Sequence, residues 1–162
     1  MFRSLTIAFA LLLGLATTAM AQNFKVDFGV NSGDPNAPVE VAADSLSIDQ
    51  ETGNAVFDGN VVISQGDMTL TAPLVNVFYK EDQSGIARLV GSGGVSITSG
   101  ADSAKAQNAD YDVDGQVINM TGNVQLVQGL NSMSAERMTV NVASNTAELH
   151  GRVRTVLNPK AN

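Results

Sequence analysis

Three short stretches of this 162-residue chain carry side chains whose types and spacing could do chemistry. Asp110-Tyr111-Asp112-Val113-Asp114-Gly115 has the D-x-D-x-D-G opening of a calcium loop, where alternate carboxylates converge on one cation and the glycine makes the sharp turn. The Glu that closes such a loop would fall at position 121, which is Thr121, so a solvated strand edge and turn is the better reading. His150 could pair with its near neighbour Glu148, but it is the only His of a chain without Cys. One imidazole makes a poor metal site and leaves most imidazole-based catalysis without its parts. Gly91-Ser92-Gly93-Gly94 lacks the G-x-S-x-G order of a nucleophile elbow, and a tight turn explains it better. No catalytic residue, metal site or cofactor is expected.

Composition narrows the field further. With 16 acidic against 9 basic residues the net charge is -7, which repels phosphate backbones, so nucleic acid is not an expected partner. Zero Cys removes disulfide frameworks, thiolate zinc sites and cysteine nucleophiles together. Arg3, the apolar run from Leu5 to Ala16, and Ala19-Met20-Ala21 before Gln22 read as a cleaved secretory signal over residues 1–21. Residue 22 is Gln, not Cys, which argues against a lipid-anchored lipoprotein. The expected location is the periplasm of a Gram-negative bacterium.

What would position these side chains is a set of short strands. From residue 22 onward Val outnumbers Leu 19 to 8, and Thr and Gly are plentiful, which favours pleated strands with turns. Apolar residues alternate in Val39-Glu40-Val41, Val61-Val62-Ile63, Val75-Asn76-Val77, Val95-Ser96-Ile97, Val124-Gln125-Leu126 and Met138-Thr139-Val140. Between them sit the turn formers Thr52-Gly53-Asn54, Gln83-Ser84-Gly85, Asp114-Gly115 and Ser144-Asn145. Two markers recur. Ala43, Ala72, Ala106 and Ala135 open one unit, at intervals of 29, 34 and 29 residues; Gly59, Gly93, Gly122 and Gly151 mark a second, at 34, 29 and 29. The longer interval in both series brackets Phe78 to Gly85, one insertion in a regular array.

A unit of about 29 residues cannot bury its apolar face alone, so stacked repeats must complete each other's core. The expected fold is all-β and elongated, a stack of strand repeats open at both ends. Val61, Ile63, Val95, Ile97, Val124 and Leu126 would point between two facing sheets, with the four glycines at equivalent corners. The repeat domain spans 38–156, flanked by an N-terminal tail (22–37) and a C-terminal tail (157–162), both too short to cap it well. Open edges invite strand addition. Val39, Glu40 and Val41 at one end and Arg152, Val153 and Arg154 at the other would form a head-to-tail joint between copies. Charge agrees: from Gln22 to Asn60 seven acids stand against Lys25, whereas from Arg137 to Asn162 four basic residues stand against Glu148.

The order Pro38-Val39-Glu40-Val41-Ala42-Ala43-Asp44, then Phe57-Asp58-Gly59-Asn60-Val61-Val62-Ile63-Ser64-Gln65-Gly66, then Met120-Thr121-Gly122-Asn123-Val124 resembles the LptA/OstA-like periplasmic family of lipopolysaccharide export, over about residues 38–156. Gly93-Gly94 and Gly151-Arg152 depart from its Gly-Asn pattern. The resemblance implies a slightly twisted β-jellyroll, open at both ends, that shelters the acyl chains of lipid A between its sheets. Val39, Val41, Val61, Ile63, Val95, Ile97, Val124 and Leu126 would then line a lipid-binding interior. Implied partners are lipopolysaccharide, the jellyroll domains of inner- and outer-membrane export proteins, and other copies of the chain. Periodicity alone favours a closed dry core, and only the resemblance points to a lipid-accepting one, so a non-catalytic periplasmic scaffold is the alternative. A glycan-acting β-solenoid enzyme is weaker, for want of a carboxylate pair in matching strands.

Overall fold

The computed structural model describes residues 24–27 and 37–158; the expected signal segment lies outside the described residues. Eleven strands form one antiparallel sheet: β1 (Phe24–Asp27), β2 (Glu40–Ala42), β3 (Ser45–Ile48), β4 (Ala55–Gln65), β5 (Met68–Tyr79), β6 (Ile86–Ser99), β7 (Asp102–Asp112), β8 (Val117–Gln128), β9 (Asn131–Asn141), β10 (Thr146–His150) and β11 (Arg154–Val156). Along the stack the order is β1-β10-β9-β8-β7-β6-β5-β4-β2, with β3 also on β4 and β11 also on β9. No helix occurs among the described residues.

Each long strand bends at its middle, and the bend is written in the repeat glycines. The ladder between β4 and β5 breaks between Asp58 and Val61, that between β6 and β7 between Ser92 and Val95, and that between β8 and β9 between Thr121 and Val124. At each break two residues oppose one, the geometry of a bulge that bends a strand. Both residues of every pair have positive φ: Gly59 and Asn60, Gly93 and Gly94, Gly122 and Asn123, and Gly151 and Arg152. Glycine reaches that region freely, and Asn tolerates it better than most residues.

The bends fold the sheet into two facing layers. One holds β3, β10, β1 and residues 55–58, 74–79, 86–92, 108–112, 117–121 and 137–141; the other holds β2, β11 and residues 61–65, 68–72, 95–99, 102–106, 124–128 and 131–135. Alternation along every strand turns one side inward, and the inward residues form a single core. Val75, Ile118, Met120, Met138 and Leu149 come from the first layer and Val61, Ile97, Val124 and Leu126 from the second, all at most 1% exposed. The structure is therefore the elongated all-β stack read from the repeats.

Two features differ from the sequence reading. The long interval is not one loop: the turn at 80–85 is two residues longer than that at 113–116, and the rest of the excess lengthens β5 and β6. And residues 22–37, expected as a tail, contain β1, which crosses to the far end of the stack and pairs with β10. Four residues of apolar and polar alternation, Phe24-Lys25-Val26-Asp27, were enough for a strand because β10 offered an edge.

Candidate functional site

The two repeat series meet at the corners. The residue after each marker alanine (Asp44, Pro73, Gln107, Glu136) lies across the ladder from a marker glycine. A Cβ on Gly59, Gly122 or Gly151 would come within 2.9 Å of the Cβ of Asp44, Gln107 or Glu136 respectively. Asp44 N–H donates to Gly59 O, and Glu136 N–H to Gly151 O, both at 2.9 Å. Side chains add to this: Asn60 Nδ2 donates to Asp44 Oδ2 at 2.7 Å, and Arg152 Nε lies 3.1 Å from Glu136 Oε1. This spine sets the angle between the layers.

On the inside, Val61, Ile63, Val95, Ile97, Val124 and Leu126 are all buried, while Val39 and Val41 are half-buried against the same core. Their neighbours in sequence turn away: Val62 and Gln125 are exposed and Ser96 is half-buried. The eight residues expected to face inward are thus brought to one surface. The layers are closed on one another in this conformation. The space bounded by Ile63, Met68 and Ile97 of one layer and Leu89, Tyr111 and Ile118 of the other is about 20 Å³, room for about one water. Pockets for small ligands run to roughly 300 Å³ or more, so an acyl chain can enter only if the layers part.

A polar clasp spans them on the side away from the glycine spine. Tyr111 Oη, from the first layer, donates to Gln65 Oε1 of the second at 3.3 Å, and Gln65 Nε2 donates to Ala37 O at 3.2 Å. Burial, and then the charge of Asp112, push the Tyr111 phenol above its usual range, which keeps it a donor. Ser99 Oγ, opposite Met68 in the second layer, is buried with no hydrogen-bond partner among the described residues. Periodicity could mark Tyr111 as inward-facing; its partner, 46 residues away, left no signal.

The interior is exposed at one end. Leu46 and Ile48 of β3 pair with Phe57 and Ala55, which face the core, yet they are 51% and 62% exposed because no described strand lies beyond β3. The residues expected at the joint sit at the ends. Glu40 is exposed on β2, whose far side has no described neighbour; Arg152 and Val153 turn the last corner; Arg154 opens β11, which pairs with β9 alone. The expectation of two open ends needs one correction. At the C-terminal end only the β11 half is open, because β1 covers the β10 half.

The stretches with chemical side chains are engaged elsewhere. Asp110 binds Arg88, whose Nε donates to Asp110 Oδ1 at 2.7 Å; Asp112 Oδ1 accepts the Gly115 N–H at 2.9 Å; Asp114 Oδ1 lies 2.7 Å from Lys80 Nζ. Tyr111, between them, points inward. His150 Nε2 is 3.8 Å from Glu148 Oε2. Among the described residues no group of three or more His, Cys, Asp or Glu is placed to hold a metal ion.

Comparison with known proteins bears on this site. A family model described as LptA/(LptD N-terminal domain) LPS transport protein matches residues 40–146. The lipopolysaccharide export system protein LptA of Haemophilus influenzae is 28% identical over 137 residues, covering 78% of this chain and 80% of that protein. An uncharacterized protein of Rhizobium meliloti is 30% identical over 135 residues, 76% of this chain and 73% of its own. The crystal structure of Pseudomonas aeruginosa LptH, the LptA homologous periplasmic component of a lipopolysaccharide transport device, superposes with a TM-score of 0.70 at 19% identity, covering 78% of this chain and 99% of that one.

Proposed function

The chain belongs to the LptA/LptD N-terminal-domain family of lipopolysaccharide transport proteins, and from that premise we propose that it carries lipopolysaccharide across the periplasm without catalysis, holding the acyl chains between its two layers. The observation that carries this reading is the apolar strip. Inward residues from β4 to β10 form one core along the stack, and that strip emerges at one end as Leu46 and Ile48. Each CH₂ buried there contributes about 0.8 kcal/mol, enough over several chains to separate the layers and release the Tyr111–Gln65 clasp. A protein of net charge -7 gains little from lipid A phosphates, so chains dominate the recognition. Copies, or the related jellyrolls of membrane-bound export proteins, join end to end through the open edges of β2, β3 and β11, extending the strip from one molecule to the next.

The tight closure of the core also supports a second reading, a non-catalytic periplasmic scaffold whose strands are an assembly surface. Depletion separates the two. If the chain carries lipopolysaccharide, its loss stops newly made lipopolysaccharide short of the cell surface; if it is a scaffold alone, lipopolysaccharide reaches the surface at the normal rate.

A further inference from the structure

β1 covers β10 in the same manner as β3 covers β4 at the opposite end of the stack. β1 lies antiparallel on β10 with Phe24 opposite Leu149, Lys25 opposite Glu148 and Val26 opposite Ala147. β3 lies antiparallel on β4 with Leu46 opposite Phe57, Ser47 opposite Val56 and Ile48 opposite Ala55. Phe57 and Leu149 each stand two residues before a corner glycine, Gly59 and Gly151, so the two registers are equivalent. The sequences correspond as well. Phe24-Lys25-Val26-Asp27 matches Leu46-Ser47-Ile48-Asp49 in order: apolar, polar, apolar, Asp.

We propose that β1 is a built-in stand-in for β3 of a second copy, and that end-to-end assembly requires the incoming β3 to displace it from β10. This rests on the end-to-end assembly proposed above. Because neighbours in the ladder alternate in direction, β4 and β10 run the same way, and β1 and β3 both run against them. A second copy continuing the stack therefore brings its β3 to β10 in the sense of β1, while its β2 meets the open edge of β11. The exchange is symmetrical in backbone hydrogen bonds, since one four-residue strand replaces another. What it gains is cover for Leu46 and Ile48, both more than half exposed in the single molecule. The tethered β1 competes at a fixed effective concentration, whereas the incoming strand competes at the protein concentration. Dilute protein is thereby held as capped single molecules, and assembly sets in sharply where copies are crowded.

The chain has no Cys, so a Lys25→Cys, Glu148→Cys double variant of the chain from Gln22 has one possible intramolecular disulfide. Register partners in an antiparallel pair lie about 4.5–5.5 Å apart at Cα, inside the range a disulfide spans. Sedimentation over a concentration series, reduced and oxidised, reads the outcome. The reduced protein should lengthen with concentration, and the oxidised protein should stay single or need at least about tenfold more protein. A chain beginning at residue 29 should associate at lower concentration than the intact chain. Equal association of reduced and oxidised protein, or failure of the disulfide to form, would overturn the proposal. A disulfide that forms while neither state associates would overturn the end-to-end reading, and the competition with it.

Discussion

Corner residues give the fold its shape, and their effect can be separated from the ordinary requirement for glycine in turns. Gly122 and Gly129 both have positive φ, at +85° and +56°, but a Cβ on Gly129 meets nothing within 4 Å, whereas one on Gly122 would stand 2.9 Å from the Cβ of Gln107. That Cβ is anchored to the adjacent backbone and cannot swing aside. Gly129→Ala should lower unfolding free energy by about 1 kcal/mol, for the left-handed backbone alone. Gly122→Ala should lower it by about 3 kcal/mol, because strain and overpacking add. Urea denaturation of both variants measures the difference, and equal losses would mean that the corner does not depend on close approach. The Gly-Asn pairs were legible in sequence because positive φ restricts residue choice. Their partners Asp44 and Gln107 were not, nor was Glu136 opposite Gly151, since a residue that only has to sit opposite a glycine can be of many types. Pro73 shows this: it faces Gly93, its ring carbon Cγ would lie 3.3 Å from a Cβ there, and it brings no N–H to the ladder.

Between elements, what matters is how two layers of well-paired strands hold together and come apart. The glycine spine is covalent and fixed; the opposite side is closed by apolar packing and by the Tyr111–Gln65 hydrogen bond. Tyr111→Phe keeps the ring in place and removes the bond, so it should cost about 1 kcal/mol of stability while increasing lipopolysaccharide capture by the folded protein. Unfolding measured beside a capture assay checks both signs, and capture that is unchanged or reduced would argue that the layers do not part on that side. The strands β4 to β9 were readable because inward and outward residues alternate within each half of every strand, on either side of the corner. β1 was not. A four-residue strand carries little periodic signal, and its partner lies 119 to 125 residues away at the far end of the stack. The insertion was found by its spacing, but its division between a turn and two lengthened strands depends on pairing that spacing does not encode.

At the scale of the whole molecule the stack is polar in the geometric sense, with β2 and β3 at one end and β10 and β11 at the other. Glu40 and Asp44 lie at the first, and Arg154 and the Glu136-paired Arg152 at the second, a distribution that would favour unlike ends in the assembly proposed above. Elongation, the two layers and the identity of the inward face were all legible from the repeat, because a repeated unit with one apolar face has few ways to bury it. Whether that face meets lipid was not legible, because a dry core and a lipid-accepting one call for the same Val, Ile and Leu. The central claim is that acyl chains enter between the layers, and it is tested most directly by a photo-crosslinking side chain placed in turn at Ile63, Ile97, Val62 and Ser96, in variants that still unfold cooperatively. Illumination with lipopolysaccharide should give strong capture from Ile63 and Ile97, whose side chains face inward, and little from Val62 and Ser96, whose side chains face away. Equal capture from all four positions, or none from the inward pair, would contradict it.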